Sequence, residues 1–137
     1  MRSHFDIDDT AFEKRFQEGT FDPSLFSHEA HLRLAWIHIR KYGVEKAVTN
    51  ICSQIVAFAT AHGAPGKYHK TVTVAAVRAV DHFIRKRPID SFQEFIRTYP
   101  RLKNNFRELL QFHYQVDVFR SEHARREYLE PDLLPFT

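Results

Sequence analysis

Apolar residues recur at helical spacing along most of the chain, and turn-forming residues separate the resulting segments. The acidic residues at 6–9 can cap a first short helix that ends at Gly19. Ser27 can cap a second helix, which Gly43 closes, and a third helix is predicted over 44–62. The link at Gly43 is so short that the second and third helices should form an antiparallel hairpin.

The C-terminal half shows the same helical spacing, interrupted by glycine and proline. Ser91 and Glu94 match a capping box. The remaining predicted helices span 71–86, 91–99, 104–114 and 121–128. Pro131 and Pro135 predict an extended tail, because a proline disfavours helical backbone at the residue before it. The sequence therefore predicts one all-α domain over residues 1–137, a bundle of six or seven helices with an extended C-terminal tail.

Composition supports a globular core and disfavours two classes of partner. The 137 residues are 43% apolar and 14% aromatic, with 20 Lys and Arg against 17 Asp and Glu. The basic clusters at 85–87 and 125–126 have the character of solvated helix ends, and no nucleic-acid-binding motif accompanies them. The N-terminus is too acidic for a signal peptide, and no apolar run is long enough to cross a membrane. We therefore expect a cytoplasmic protein.

The second helix places histidines on its apolar face. His28, His31 and His38 lie on or beside the same stripe as Ala35 and Tyr42. The predicted hairpin returns His62 toward the level of His28 and His31. Extending the fourth helix back by one turn places His69 and Thr73 on its buried stripe as well. The sequence thus predicts that the N-terminal ends of the second and fourth helices meet at one site.

Three segments of the chain are similar to the conserved motifs of a bacterial family of small helical proteins that has no assigned activity. The first is F-[ST]-H-x-x-H-[LV]-R-x-A-W, which residues 26–36 match; the second is Y-H-x-T-x-T, matched at 68–73; the third is P-D-L-x-P, matched at 131–135. The resemblance implies a small helical bundle of bacterial origin, and it implies no reaction.

Two chemical interpretations follow for these residues. In one, His28, His31 and His69 bind a divalent metal such as zinc, with His62 as another candidate for the third ligand. In the other, a metal-free pocket binds a small anionic molecule, with His31 and His69 as donors or as acid and base. Tyr68, Thr71 and Thr73 would orient the ligand through their hydroxyl groups, and His28 would also bind it. Whether the pocket is catalytic stays open.

A structural interpretation competes with both. Histidines can satisfy buried hydrogen-bonding groups, and this role is favoured for His38 and His113. Cys52 is expected to be an inert core thiol and Trp36 a core ring, whereas Arg33 lies on the polar side of the helix and is expected at the surface. In this interpretation the protein is a non-enzymatic interaction module or a homodimer that uses its many aromatic residues as an interface.

Overall fold

The computed structural model describes residues 3–136, in which the secondary structure is helical and no strand is present. Eight α-helices are present in this range, one more than the upper predicted number. They are α1 (Asp9–Glu18), α2 (His28–Tyr42), α3 (Val44–Ala61), α4 (Lys70–Ile84), α5 (Phe92–Thr98), α6 (Arg101–Asn104), α7 (Phe106–Gln111) and α8 (Glu122–Arg126). Four short 3-10 turns lie at His4–Asp6, Pro23–Leu25, Pro65–Lys67 and Val118–Arg120.

Helix α2 is the centre of the bundle. It packs against both α3 and α4, which also pack against each other, and residues 32–39 of α2 are buried without interruption. Gly43 joins α2 to α3 with a φ of 87°, a backbone conformation that glycine adopts without a steric penalty. Leu32, Leu34 and Ala35 are completely buried, and Trp36 is the core ring that the sequence predicts.

The predicted helix starts are confirmed where a side chain can cap them. Asp8, Ser27, Ser91 and Ser121 each accept a hydrogen bond from a backbone N–H in the first turn of the following helix. Gly19 ends α1 in the left-handed conformation, with a φ of 77°. These ends are local properties of the chain, which is why the sequence locates them.

The predicted helix over 104–114 is wrong in detail. Asn105 has a φ of −135° and separates α6 from α7, so this stretch contains parts of two short helices instead of one. Phe106 and Tyr114 are buried in the core, and α6 begins directly after Pro100. Intrinsic helix propensity does not predict a helix break that is imposed by tertiary packing.

Arg33 is buried, which corrects the expectation of a surface position. Only 5% of Arg33 is exposed. Its guanidinium donates to the carbonyl oxygens of His4 at 2.6 Å and of Ile7 at 2.7 Å, and it pairs with the Asp9 carboxylate at 2.7 Å. Because every branch of the guanidinium has an acceptor, Arg33 fastens the N-terminal segment to α2.

The segment that follows α8 contains no helix in the described range 127–136, and it is hydrogen-bonded to Thr71 of α4 and to residues 113–115, which follow α7. Tyr114 donates its hydroxyl to the Leu129 carbonyl at 2.7 Å, and the Leu133 amide donates to the His113 carbonyl at 3.0 Å. Phe136 is buried and stacks on the His113 ring. Hydrogen bonds and an aromatic anchor therefore fix this segment, which we call the tail.

In the described part of the chain, no helix is both long enough and apolar enough to span a lipid bilayer.

Candidate functional site

His28 does not face the site predicted for it. The residue is exposed, and its Nε2 donates to the Leu102 carbonyl in α6 at 2.9 Å. Its ring lies 4.9 Å from that of Phe106, measured between centroids. His28 thus links the start of α2 to α6 through this hydrogen bond.

His69 is the N-cap of α4, one residue before the helix begins. Its Nδ1 accepts a hydrogen bond from the Val72 amide at 3.1 Å, so Nε2 carries the proton that it donates to the Val118 carbonyl at 2.7 Å. Burial lowers the pKa of the imidazole, which keeps this tautomer neutral. Because both nitrogens are engaged, His69 is not available as the predicted acid or base.

The two threonines of the second motif are buried in α4 rather than exposed to a ligand. Thr71 is completely buried, and its hydroxyl donates to the Glu127 carbonyl at 2.8 Å while accepting from the Leu129 amide at 3.0 Å. Thr73 is 4% exposed. Thr71 therefore holds the tail, and the motif that resembles Y-H-x-T-x-T is largely a structural one.

The predicted three-histidine metal site is not formed. Within residues 3–136, no group of three or more histidine, cysteine, aspartate or glutamate side chains has the geometry to hold a metal ion. The physical reason is that Nε2 of His28 is bonded to a backbone carbonyl of α6 and Nε2 of His69 to a carbonyl of the turn Val118–Arg120. The remaining nitrogen of His69 caps α4.

His31 is the exception among the motif histidines. Its Nε2 is inaccessible to solvent and has no hydrogen-bond partner among the described residues. Burial lowers the pKa of the imidazole to about 4, and the neighbouring His28 acts in the same direction. The ring lies 6.0 Å from that of Phe26. His31 is therefore a neutral side chain with an unused polar atom, which costs free energy unless something binds it.

Phe26 also borders a cavity of about 310 Å³. The cavity lies between the turn Pro23–Leu25, the C-terminal half of α3 and the turn Pro65–Lys67. Its lining residues are Pro23, Phe26, Ile55, Phe58, Ala59, His62, Ala64, Lys67 and Tyr68. This volume is near the lower limit of known small-molecule sites. Phe26 lies between this cavity and His31, because its ring lines the cavity and also contacts the His31 ring. The cavity lies beside α3, whereas the predicted pocket lay between α2 and α4.

Tyr68 supplies a neutral hydroxyl to this cavity. The residue is half-buried, and burial together with a hydrogen bond to the Cys52 thiol raises the pKa of the phenol. Cys52 is 7% exposed, so it is the core thiol that the sequence predicts. Lys67 and His62 are exposed and place polar nitrogen atoms at the cavity's rim. The cavity therefore combines aromatic walls with a hydroxyl and a basic rim.

His38 and His113 were both expected to satisfy buried hydrogen-bonding groups. His113 has a structural hydrogen bond, since its Nδ1 donates to the Leu134 carbonyl at 2.6 Å, but this bond is exposed. His38 does not: it is 1% exposed, and neither ring nitrogen has a partner in the described part of the chain. Burial lowers the pKa of His38, although the Glu13 carboxylate opposes that shift. His38 borders none of the cavities described in this article.

Sequence reasoning located Tyr68, His31 and His62 but did not identify the cavity that they approach. Phe58 and Lys67, which also line the cavity, are absent from the predicted site. The sequence signal that could have located the cavity is the pair of aromatic residues Phe26 and Phe58. Phe26 directly follows the turn Pro23–Leu25, and Phe58 lies near the C-terminal end of α3. Their ring centroids are 5.4 Å apart.

The chain was compared with protein-family models, curated proteins and solved structures, and none of these comparisons gives a match. The resemblance to the bacterial family therefore stays a prediction from three motifs.

Proposed function

We propose that this protein binds a small molecule with an apolar body and an anionic end in the cavity beside α3. The observation that carries the proposal is the convergence of Phe26, Phe58, Tyr68 and Lys67 on one cavity of about 310 Å³. Two aromatic walls suit a ring or a branched chain, while the cation at the rim suits a carboxylate.

The polar groups of the cavity favour an anion over a cation. The raised pKa of Tyr68 keeps its hydroxyl protonated, and a rotation of this hydroxyl from the Cys52 thiol to a ligand oxygen would let it donate there. Lys67 forms no ion pair with any described residue, and its ammonium group is therefore free to pair with a carboxylate. No acidic side chain is present among the cavity-lining residues of the described chain.

His31 gives the proposal a second element. Its unpartnered Nε2 lies next to the Phe26 ring, which separates the histidine from the set of residues that line the cavity. A rotation of Phe26 would extend the cavity toward His31 and supply the partner that the nitrogen lacks. The proposal is for binding, because His69 has no free nitrogen for proton transfer.

The test uses phenylacetate, an aromatic carboxylate of suitable size, titrated into the full-length protein and followed by ¹H–¹⁵N NMR. Ala59 lines the cavity, so Ala59→Phe should fill it and abolish the shifts. Ala57 is exposed on the same helix and does not line the cavity, so Ala57→Phe is the matched control. Equal binding of phenylacetate by both variants would contradict the proposal.

A second comparison tests the assigned roles of the polar groups. Tyr68→Phe removes the hydroxyl and should weaken phenylacetate binding by about fivefold, in keeping with a net hydrogen bond of about 1 kcal/mol. Lys67→Gln should weaken binding of phenylacetate but not of benzyl alcohol, which has no charge. An identical loss for both compounds would show that the rim does not recognise an anion.

A further inference from the structure

Four large apolar side chains are exposed together at the end of the bundle formed by α7 and the tail. Phe112, Val116, Leu133 and Leu134 are 58%, 54%, 55% and 52% exposed, respectively. We call these four residues the Phe112 patch. Only Phe5 and Val56 are also exposed among the large apolar side chains of residues 3–136, and they belong to other elements. Clustered exposure of this kind marks interaction sites more often than scattered exposure does.

The patch is continuous because the chain that follows α7 lies beside the tail. Three hydrogen bonds join the two segments: Leu133 N–H to the His113 carbonyl at 3.0 Å, His113 Nδ1 to the Leu134 carbonyl at 2.6 Å, and Gln115 N–H to the Asp132 carboxylate at 3.0 Å. The His113 ring stacks on buried Phe136. The apolar side chains are therefore presented by backbone that is already fixed, which lowers the entropic cost of binding.

A depression lies on each side of the patch. Phe112 and Leu134 border a cavity of about 270 Å³, and Val116 and Leu133 border one of about 350 Å³. Because two residues of the patch border each depression, a partner segment can place side chains into both. A single small ligand would occupy only one of them.

Three arginines and two carboxylates surround the patch: Arg101, Arg107 and Arg120 against Asp117 and Asp132. The Arg101 guanidinium lies 5.5 Å from the centre of the Phe112 ring and forms no ion pair with any described residue. Arg107 and Arg120 both pair with the same carboxylate, that of Asp117, at 3.3 Å and 3.7 Å. Because two arginines pair with one aspartate, this group of three side chains carries a net positive charge. Two copies of this surface would repel each other if they met face to face, whereas acidic groups would be attracted.

We propose that the Phe112 patch is a docking surface for a segment of another protein in which apolar side chains alternate with, or are flanked by, aspartate and glutamate. The apolar side chains enter the two depressions, and the carboxylates pair with Arg101 and with the arginines that share Asp117. This surface lies on α7 and the tail, and none of its residues borders the cavity beside α3. The inference therefore does not depend on the proposed small-molecule function.

The test measures the fluorescence anisotropy of a labelled short peptide in which glutamate alternates with phenylalanine and leucine, and of the same peptide with lysine in place of every glutamate. The full-length protein should bind the acidic peptide at least about tenfold more tightly than the basic one, and added salt should weaken binding. Arg101→Glu should reduce or reverse this preference.

Phe112→Ser and Val116→Ser should each weaken binding of the acidic peptide by about tenfold, because each removes an exposed apolar contact. Val56→Ser is the matched control, since Val56 is exposed on α3, away from the patch. Ala59→Phe should leave peptide binding unchanged, which separates this surface from the cavity beside α3. Both serine changes are at exposed positions, and circular dichroism verifies that the variants are folded.

Two results would overturn the proposal. The first is equal affinity for the acidic and basic peptides, or equal affinity of the wild type and Phe112→Ser for the acidic one. The second is a concentration-dependent dimer, measured by light scattering, that Phe112→Ser abolishes, because the patch would then bind a second copy of this chain.

Discussion

His31 and His69 belong to the two motifs that the sequence places together, and both lie at the N-terminal end of a central helix. His69 uses Nδ1 to cap α4 and Nε2 to bind the Val118 carbonyl. His31 has an Nε2 that is buried without any partner in the described chain. The two residues therefore have opposite effects on the free energy of folding. His69 stabilises the fold through two hydrogen bonds, whereas His31 destabilises it because its buried nitrogen makes none.

This difference shows that a histidine on a buried helical stripe has no fixed role. A helical wheel gives the face but not the acceptors that other elements bring to it. For His69 those acceptors come from the turn before α8, and for His28 from α6. For His31 none arrives, which is why this histidine is the motif residue best suited to a ligand.

Acidification should produce the largest difference in stability between the wild type and a variant without His31. The pKa of His31 is lowered to about 4 from its ordinary 6.5, so the unfolded chain takes up the proton first as the pH falls. The stability associated with neutral His31 is complete above about pH 6.5 and is lost toward pH 4, by about 3 kcal/mol. Urea unfolding at pH 7 and pH 4 should show this extra loss in the wild type relative to His31→Leu. Identical pH dependence of the two proteins would refute it.

Replacing His69 should destabilise the protein at neutral pH by about 2 to 3 kcal/mol. His69→Leu removes the cap of α4, worth about 1 kcal/mol, and leaves the Val118 carbonyl without its partner. His69→Asn serves as the control, because asparagine can cap the helix but is too short to keep both bonds. Urea unfolding at pH 7 should place the asparagine variant between the leucine variant and the wild type.

Thr71 tests whether the structural role of the second motif extends to the tail. Thr71→Val keeps the shape of the side chain but removes both bonds to residues 127 and 129, with an expected loss of about 1 to 2 kcal/mol. Hydrogen exchange should accelerate at the Leu129 amide, because this amide donates its hydrogen bond to the Thr71 hydroxyl oxygen. Tyr114→Phe is the comparison, since Tyr114 binds the Leu129 carbonyl and not its amide. Unchanged exchange in Thr71→Val would show that the tail is held elsewhere.

The smallest effect is expected for His31→Leu at neutral pH. Leucine of similar size removes a buried polar atom that has no partner, so the free energy of unfolding should change by less than about 1 kcal/mol or increase slightly. Chemical denaturation at pH 7 measures this change directly. A loss greater than about 2 kcal/mol would mean that the imidazole makes an essential interaction, and the contrast with His69 would disappear.

The predictability of the fold follows the range of the interactions involved. Ser27, Ser91 and Gly19 set helix ends through bonds within one turn, and all three were predicted. The split at Asn105 and the burial of Arg33 were not predicted. Arg33 faces solvent on an isolated helix, but the acceptors of the N-terminal segment cover it in the folded chain.

The candidate site was predictable only in part. The motifs identified His31 and Tyr68, and the hairpin returned His62 to the same end of the bundle. The cavity itself depends on Phe26 and Phe58, which come from a turn and from α3, and on a turn at 65–67 that carries Lys67 to the rim. The spacing of residues along the sequence does not predict a cavity that forms where three separate elements pack together.

The all-helical bundle, most helix ends and the segments that carry the unusual histidines are predictable from the chain, because they depend on residue spacing and on contacts within one helical turn. The pairing of the imidazoles, the position of the cavity and the exposure of apolar side chains are settled by long-range packing. Each of these depends on groups that are distant in the sequence, since a polar atom is satisfied, or left without a partner, by what packs against it.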